Sequence, residues 1–93
     1  MINRIVKIRF TEHFSPKFEQ IFIDTKPYIL KQKGCVSVTL LKNIHQKNEY
    51  FTYSLWENED DLNNYRNTAL FKSVWKELKP NFSIKPEAWS LIQ

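Results

Sequence analysis

The stretch Tyr50-Phe51-Thr52-Tyr53-Ser54-Leu55-Trp56-Glu57-Asn58-Glu59-Asp60-Asp61-Leu62-Asn63-Asn64-Tyr65 changes character in its middle. Its first half, with Glu49 before it, is rich in aromatic side chains that favour extended backbone, and the spacing predicts a strand over Glu49–Trp56. Asn58 then opens a helix. Its short polar side chain can accept a backbone hydrogen bond, and Asp61 three residues on comes close to a capping box. The acidic run Glu57, Glu59, Asp60 and Asp61 falls where a helix dipole favours negative charge, which is its plainest explanation. Leu62, Tyr65 and Ala69 carry this helix inward. Thr68 offers a second cap, after which Phe71, Val74, Trp75 and Leu78 form a stripe at i, i+3, i+4 and i+7. Lys79-Pro80-Asn81 stops the helix.

Working back from this junction, Cys35 to Ile44 reads as a strand, with Val36, Val38 and Leu40 alternating against Ser37, Thr39 and Leu41. The polar segment from Asn43 to Asn48 supplies a turn, so this strand and the next form an antiparallel hairpin. Ser15-Pro16 has the form of a helix start, with Ser as cap and Pro at the first helical position. Phe18, Ile21, Phe22, Thr25 and Ile29 follow at helical spacing. Pro27 interrupts the pattern, and a kink or two abutting helical segments is expected there. Gly34 is expected to end the helix in the left-handed conformation. Ile2 to Phe10 alternates, Val6, Ile8 and Phe10 on one face and Lys7 and Arg9 on the other, as a strand with one buried face does. Ala88 to Ile92 makes a short last strand. The order is β-α-β-β-α-β, which predicts an α+β, ferredoxin-like domain: a four-stranded antiparallel sheet with helices on one face. The other sheet face then needs a partner or a ligand.

Composition narrows the function. The 93 residues form one domain, with 14 Lys and Arg against 10 Asp and Glu, a formal charge of +4. A domain of this length buries roughly 60–65% of its unfolded surface and gains stability by dimerising. The basic residues are scattered from Arg4 to Lys85 rather than clustered, which argues against nucleic acid. The RNA-recognition fold shares this element order and places aromatics on its third strand, but its glycine-containing motif is absent. One cysteine, Cys35, excludes an intrachain disulfide and a multi-cysteine metal site, and His13 and His45 are too far apart in sequence to suggest a metal pair. A single glycine excludes phosphate-cradling and dinucleotide loops. No segment has the apolar length of a membrane helix, and charges interrupt the N-terminal stretch where a signal peptide would be apolar, so no membrane association and a cytoplasmic location are expected.

The run Gly34-Cys35 into a strand, the stretch from Tyr50 to Tyr65, and Leu70-Phe71-Lys72 together resemble the antibiotic biosynthesis monooxygenase (ABM) family. The resemblance covers nearly the whole chain and is most specific at Trp56-Glu57-x-Glu59, with Tyr65 and Phe71 behind it. It implies the ferredoxin-like fold, pairing of two sheets into a dimeric α+β barrel, and a pocket between sheet and helices. The family holds cofactor-free oxygenases and quinol oxidases beside haem degraders and isomerases. Many members carry His where Tyr65 stands and Glu where Ser54 stands. Haem-degrading relatives carry Trp at the Tyr65 position and a ligating His at that of Trp75.

These considerations single out a few residues. Tyr65 is the first catalytic candidate: a phenol on the inner helix face donates to a developing oxyanion, or else is a packed tyrosine. His13, in the loop after the first strand, is the better placed histidine for a general base, against the ordinary reading of a solvated loop residue. Trp75 and Phe71 are candidate walls for a flat ligand or plain core. Tyr53 and Trp56 lie on opposite strand faces, Tyr53 as a possible substrate or dimer contact and Trp56 as a structural residue. Arg9 is a candidate partner for a substrate anion, or a side chain at the dimer seam. The expectation is a homodimeric, cofactor-independent monooxygenase or quinol oxidase acting on a small aromatic ligand. The alternative is a non-catalytic dimeric ligand-binding module of the same fold.

Overall fold

A computed structural model describes all residues, 1–93. Four strands, β1 (Ile2–Arg9), β2 (Cys35–Lys42), β3 (Glu49–Trp56) and β4 (Glu87–Leu91), form one antiparallel sheet in the order β2-β3-β1-β4. Three helices, α1 (Ser15–Leu30), α2 (Glu59–Arg66) and α3 (Ala69–Leu78), cover one face, and a short 3-10 turn over Lys79–Asn81 follows α3. The chain is a ferredoxin-like α+β domain. No helix is long and apolar enough to cross a membrane.

Both caps read from the junction form. The Asn58 Oδ1 accepts from the Asp61 backbone N–H at 2.8 Å, and Thr68 Oγ1 accepts from the Phe71 N–H at 3.2 Å. Thr68 therefore separates α2 from α3 and lets the second turn independently over the sheet. Some expectations need correction. Ser15 is not the cap of α1 but its first residue; its hydroxyl donates to the Thr11 carbonyl, and Phe14 occupies the cap position. α1 runs through Pro27 as one helix, not as two abutting segments. Gly34 does take a positive φ, +82°, but it stands beyond the helix end, at the entry to β2. Ala69, expected to point inward, is exposed as the first residue of α3.

Gly34 has a separate function in the fold. Its carbonyl accepts from the Glu57 N–H at 2.8 Å, and a Cβ there would stand 2.6 Å from the Asp61 Cβ. The start of β2 and the start of α2 are thus pressed together, which buries Asp61 to 5% exposure. Immediately after Gly34 the β2 register slips between Cys35 and Ser37. Cys35 and Val38 both lie on the helix side, and Val36, which the alternation placed with Val38, is 46% exposed.

The core has two parts. One cluster gathers Ile8, Phe10, Phe14, Phe18, Tyr50 and Leu78; the other gathers Ile29, Val38, Trp56 and Leu62. Large side chains fill both ends of the helix-covered sheet face, whereas its middle rows carry Val6 opposite Thr52 and Arg4 opposite Ser54.

Gly34→Ala is expected to lower stability by about 2–4 kcal/mol, the sum of a non-glycine residue at positive φ and of overpacking against Asp61. Urea unfolding followed by tryptophan fluorescence measures this; a loss below about 1 kcal/mol would show that the Gly34–Asp61 approach is not a constraint.

Candidate active site

The short side chains in the middle of the sheet leave space that the helices enclose. A cavity of about 390 Å³ lies between the two core clusters. Val6, Thr52 and Ser54 form part of its floor. Phe22 and Ile29 of α1 form one wall, and Tyr65, Phe71 and Trp75 the other. Its size falls within the ordinary range for small-ligand sites, and its lining is mainly apolar with a few polar groups, the usual composition of such sites.

The aromatic wall is built as a chain of contacts. Trp56 is fully buried, and its indole Nε1–H donates to Ser54 Oγ at 2.9 Å, which fixes the ring. Tyr65 stacks on Trp56 with centroids 5.1 Å apart and an interplanar angle of 23°. Phe71 meets Tyr65 edge-on at 5.2 Å, Trp75 follows Phe71 at 5.7 Å, and Phe82 meets Trp75 at 5.8 Å. Each such pair is worth about 0.5–1.5 kcal/mol beyond burial. The wall is therefore held in place before any ligand enters. Burial, with Cys35 beside it, pushes the Tyr65 phenol up to about 12. At neutral pH the hydroxyl is protonated, and it makes no hydrogen bond to another residue of the chain, so its O–H is uncommitted in a residue that lines the cavity.

The structure brings three of the sequence candidates together here: Tyr65, Phe71 and Trp75 all line the cavity. It leaves three outside. His13 is exposed in the turn before α1 and does not reach the lining; the burial of Phe14 and the entry of Ser15 into the helix direct His13 to solvent. Tyr53 points to the uncovered sheet face, where its hydroxyl donates to Asn3 Oδ1. Arg9 lies on that same face. Its Nη2 donates to Glu49 Oε1 at 3.2 Å, and Glu49 is further held by Asn43 at 2.6 Å and faces Lys7 at 3.9 Å. These contacts, the Asn43 hydrogen bond foremost, keep the Glu49 carboxyl below the usual carboxylate range, and Arg9 is committed to it rather than to the cavity.

Two basic cavity residues escaped the sequence reading. Arg4 has the same parity on β1 as Val6 and Ile8, so its side chain belongs to the helix-covered face; Arg66 follows Tyr65 at the end of α2. The parity of Arg4 was a usable signal. Arg66 carried none, because a basic residue in the last turn of a helix is ordinary.

A single antiparallel sheet covered on one face by helices, with an apolar, aromatic-walled cavity between them, defines a ferredoxin-like domain with an enclosed candidate site. A family model for antibiotic biosynthesis monooxygenases matches residues 1–77, and the chain belongs to that family. Among solved structures, one of an antibiotic biosynthesis monooxygenase is similar with a TM-score of 0.91 at 9% identity, covering 100% of this chain and 98% of that one. A conserved protein from Methanosarcina mazei Go1 gives 0.92 at 15% identity, over 99% and 91% of the two chains. A protein from Caulobacter crescentus CB15, provisionally named an antibiotic biosynthesis monooxygenase, gives 0.90 at 20% identity, over 97% and 86%. At these identities the likeness is one of fold. No curated protein matches the chain.

A folded-state pKa of about 12 for Tyr65, above the ordinary tyrosine value near 10, links stability to pH with a definite sign. The neutral phenol is favoured in the fold, so its contribution is complete below about pH 10 and is lost between about pH 10 and 12. Tyr50, also raised to about 12 by burial and by Glu19, contributes in the same window. Tyr65→Phe is therefore expected to shallow the alkaline loss of stability, measured as urea midpoints across that range. An unchanged alkaline slope would mean that the Tyr65 phenol is not held neutral by the fold.

Proposed function

We propose that the chain is a cytoplasmic, cofactor-independent monooxygenase or quinol oxidase acting on a small phenol, quinol or anthrone-like substrate in this cavity. The observation that carries the reading is Tyr65: a protonated hydroxyl without a protein partner, fixed by stacking on Trp56 in an apolar site. An electron-rich aromatic anion reduces O2 itself, so the reading calls for no resident metal or flavin. A quinol gives two electrons and two protons to O2, forming a quinone and hydrogen peroxide. An anthrone-type methylene takes up one oxygen atom of O2, forming a carbonyl and water. In both cases negative charge develops on the substrate oxygen as its proton leaves. A donor aimed at that oxygen in a dry site lowers the barrier, and removing one such donor costs about 10²–10³ in rate.

The absence of histidine from the lining has a consequence for mechanism. The one carboxylate there, Glu87, faces Lys7 at 3.6 Å on the sheet edge. The substrate proton therefore leaves to water at the open side of the cavity, and substrates that ionise readily are favoured. The same feature favours a second reading, in which the cavity only binds its aromatic ligand.

The homodimer belongs to this proposal. Ile5, Phe51, Tyr53, Leu55, Trp89 and Leu91 share the sheet face that no helix covers. Tyr53 and Trp89 remain 37% and 40% exposed, and Leu91 48%. An apolar sheet face of this kind is costly in water, and a second copy of the same face covers it with matching twist.

Oxygen uptake by chelator-treated protein with a panel of quinols, anthrones and flavonols tests the reaction. Uptake is expected, with turnover reduced about 10²–10³-fold in Tyr65→Phe and unchanged in His13→Gln. Tryptophan quenching without uptake would sink the oxygenase reading in favour of the binding module. Light scattering at micromolar concentration is expected to give a dimer, and Trp89→Asp a monomer; a monomeric unsubstituted chain would overturn the dimer.

A further inference from the structure

The cavity lining holds two cations, Arg4 and Arg66, and one carboxylate, Glu87, which faces Lys7 at 3.6 Å. Arg4 stands in the sheet row Ser90–Arg4–Ser54, on the helix-covered side, and its Nη1 donates to Ser90 Oγ at 2.9 Å. Arg66, one residue beyond Tyr65, lines the same cavity. Partial burial of Arg4, and then the charge of Arg66, hold the Arg4 guanidinium below its ordinary pKa, which places the two cations within electrostatic reach of each other.

Neither guanidinium has a carboxylate partner: all ion pairs of the chain are made by Lys7, Arg9, Lys42 and Lys47. The contrast with the opposite sheet face is informative. There Lys7 and Arg9 are neutralised by Glu49 and Glu87, so the cations are paired within the chain. Here two like charges adjoin an apolar cavity with one of their many N–H donors in use. A partly buried cation such as Arg4 without a counter-charge is unfavourable unless something else supplies it, and the exposed Arg66 beside it adds a like charge. A guanidinium fork matches the two oxygens of a carboxylate in plane and spacing.

We propose that the ligand of this cavity is an amphipathic anion: a flat apolar body lying against Phe71 and Trp75, with a carboxylate held between Arg4 and Arg66. The assignment rests on the reading of the cavity as the ligand site and does not depend on a reaction there. It orients the ligand, because the anionic end is fixed at the arginines and the aromatic end at the Tyr65 wall. It also favours phenols, quinols and anthrones that carry a carboxylate over neutral aromatics of the same size, which leave both cations unpaired.

Binding of 1-naphthoate and of its neutral counterpart 1-naphthamide to the full chain, followed by quenching of tryptophan fluorescence, tests this. The acid is expected to bind about ten- to hundredfold more tightly than the amide, as a charge-assisted pair in a part-buried site provides. Added salt weakens the acid alone. Arg66→Gln, at an exposed position that folding tolerates, and Arg4→Gln each lower the affinity for the acid about tenfold and do not lower that for the amide. Equal affinities for the two probes, or a preference for the acid that survives both substitutions, would overturn the anion assignment while leaving the cavity as the ligand site. Failure of both probes to bind would remove the cavity reading and this inference with it.

Discussion

The constraint on which the rest of this structure depends is the fixed position of Trp56. Its ring is fully buried at the end of β3, tied to Ser54 by its indole N–H and covered by Tyr65. From that anchor the aromatic wall extends through Phe71 and Trp75 to Phe82, so that one side of the cavity is a single rigid surface. The anchor works because the floor beside it is built from small side chains. Val6, Thr52 and Ser54 leave space beneath the helices, and the core divides into two clusters rather than closing over the middle of the sheet. A domain of this size gives up burial by leaving such a space. The compensation lies in the two dense ends, where Ile8, Phe10 and Trp56 have almost no exposure.

The two sheet faces solve opposite electrostatic problems. On the uncovered face, Glu49 is buried among Asn43, Arg9 and Lys7, and the charges close upon themselves. On the covered face, Arg4 and Arg66 have no acidic partner, and the Tyr65 phenol has no acceptor. One face is internally complete in charge and open in apolar surface. The other is closed in apolar surface and open in charge and hydrogen bonding. The first arrangement suits contact with a second protein surface, the second a small molecule with an anionic end.

Much of the fold was legible because its signals are local. A cap acts on the next three backbone N–H groups, so Asn58 and Thr68 announced the starts of α2 and α3 from sequence alone. Strand faces follow from alternation, so Tyr53 and Trp56 fell on opposite sides as their spacing requires. The misses came where a distant contact overrode a local rule. Val36 broke its alternation because the packing of Gly34 against Asp61 displaces the register of β2 at its first residues. His13 looked available in a loop, but the neighbouring Phe14 buries and leaves it facing solvent.

The sequence by itself determined the element order, the helix caps, the apolar stripe of α3 and the family, because hydrophobic period, cap chemistry and the strand-to-helix junction are properties of neighbouring residues. Tertiary structure alone decided what the site contains. Tyr65, Phe71 and Trp75 became one wall only when α2 and α3 were laid over β3. Arg4 and Arg66, 62 positions apart in the chain, share a cavity only because α2 packs over β3 and β1 lies next to β3 in the sheet. Charge is read from a sequence residue by residue, but whether a charge is paired depends on what folding brings within a few ångströms of it, and that is settled by packing across the whole domain.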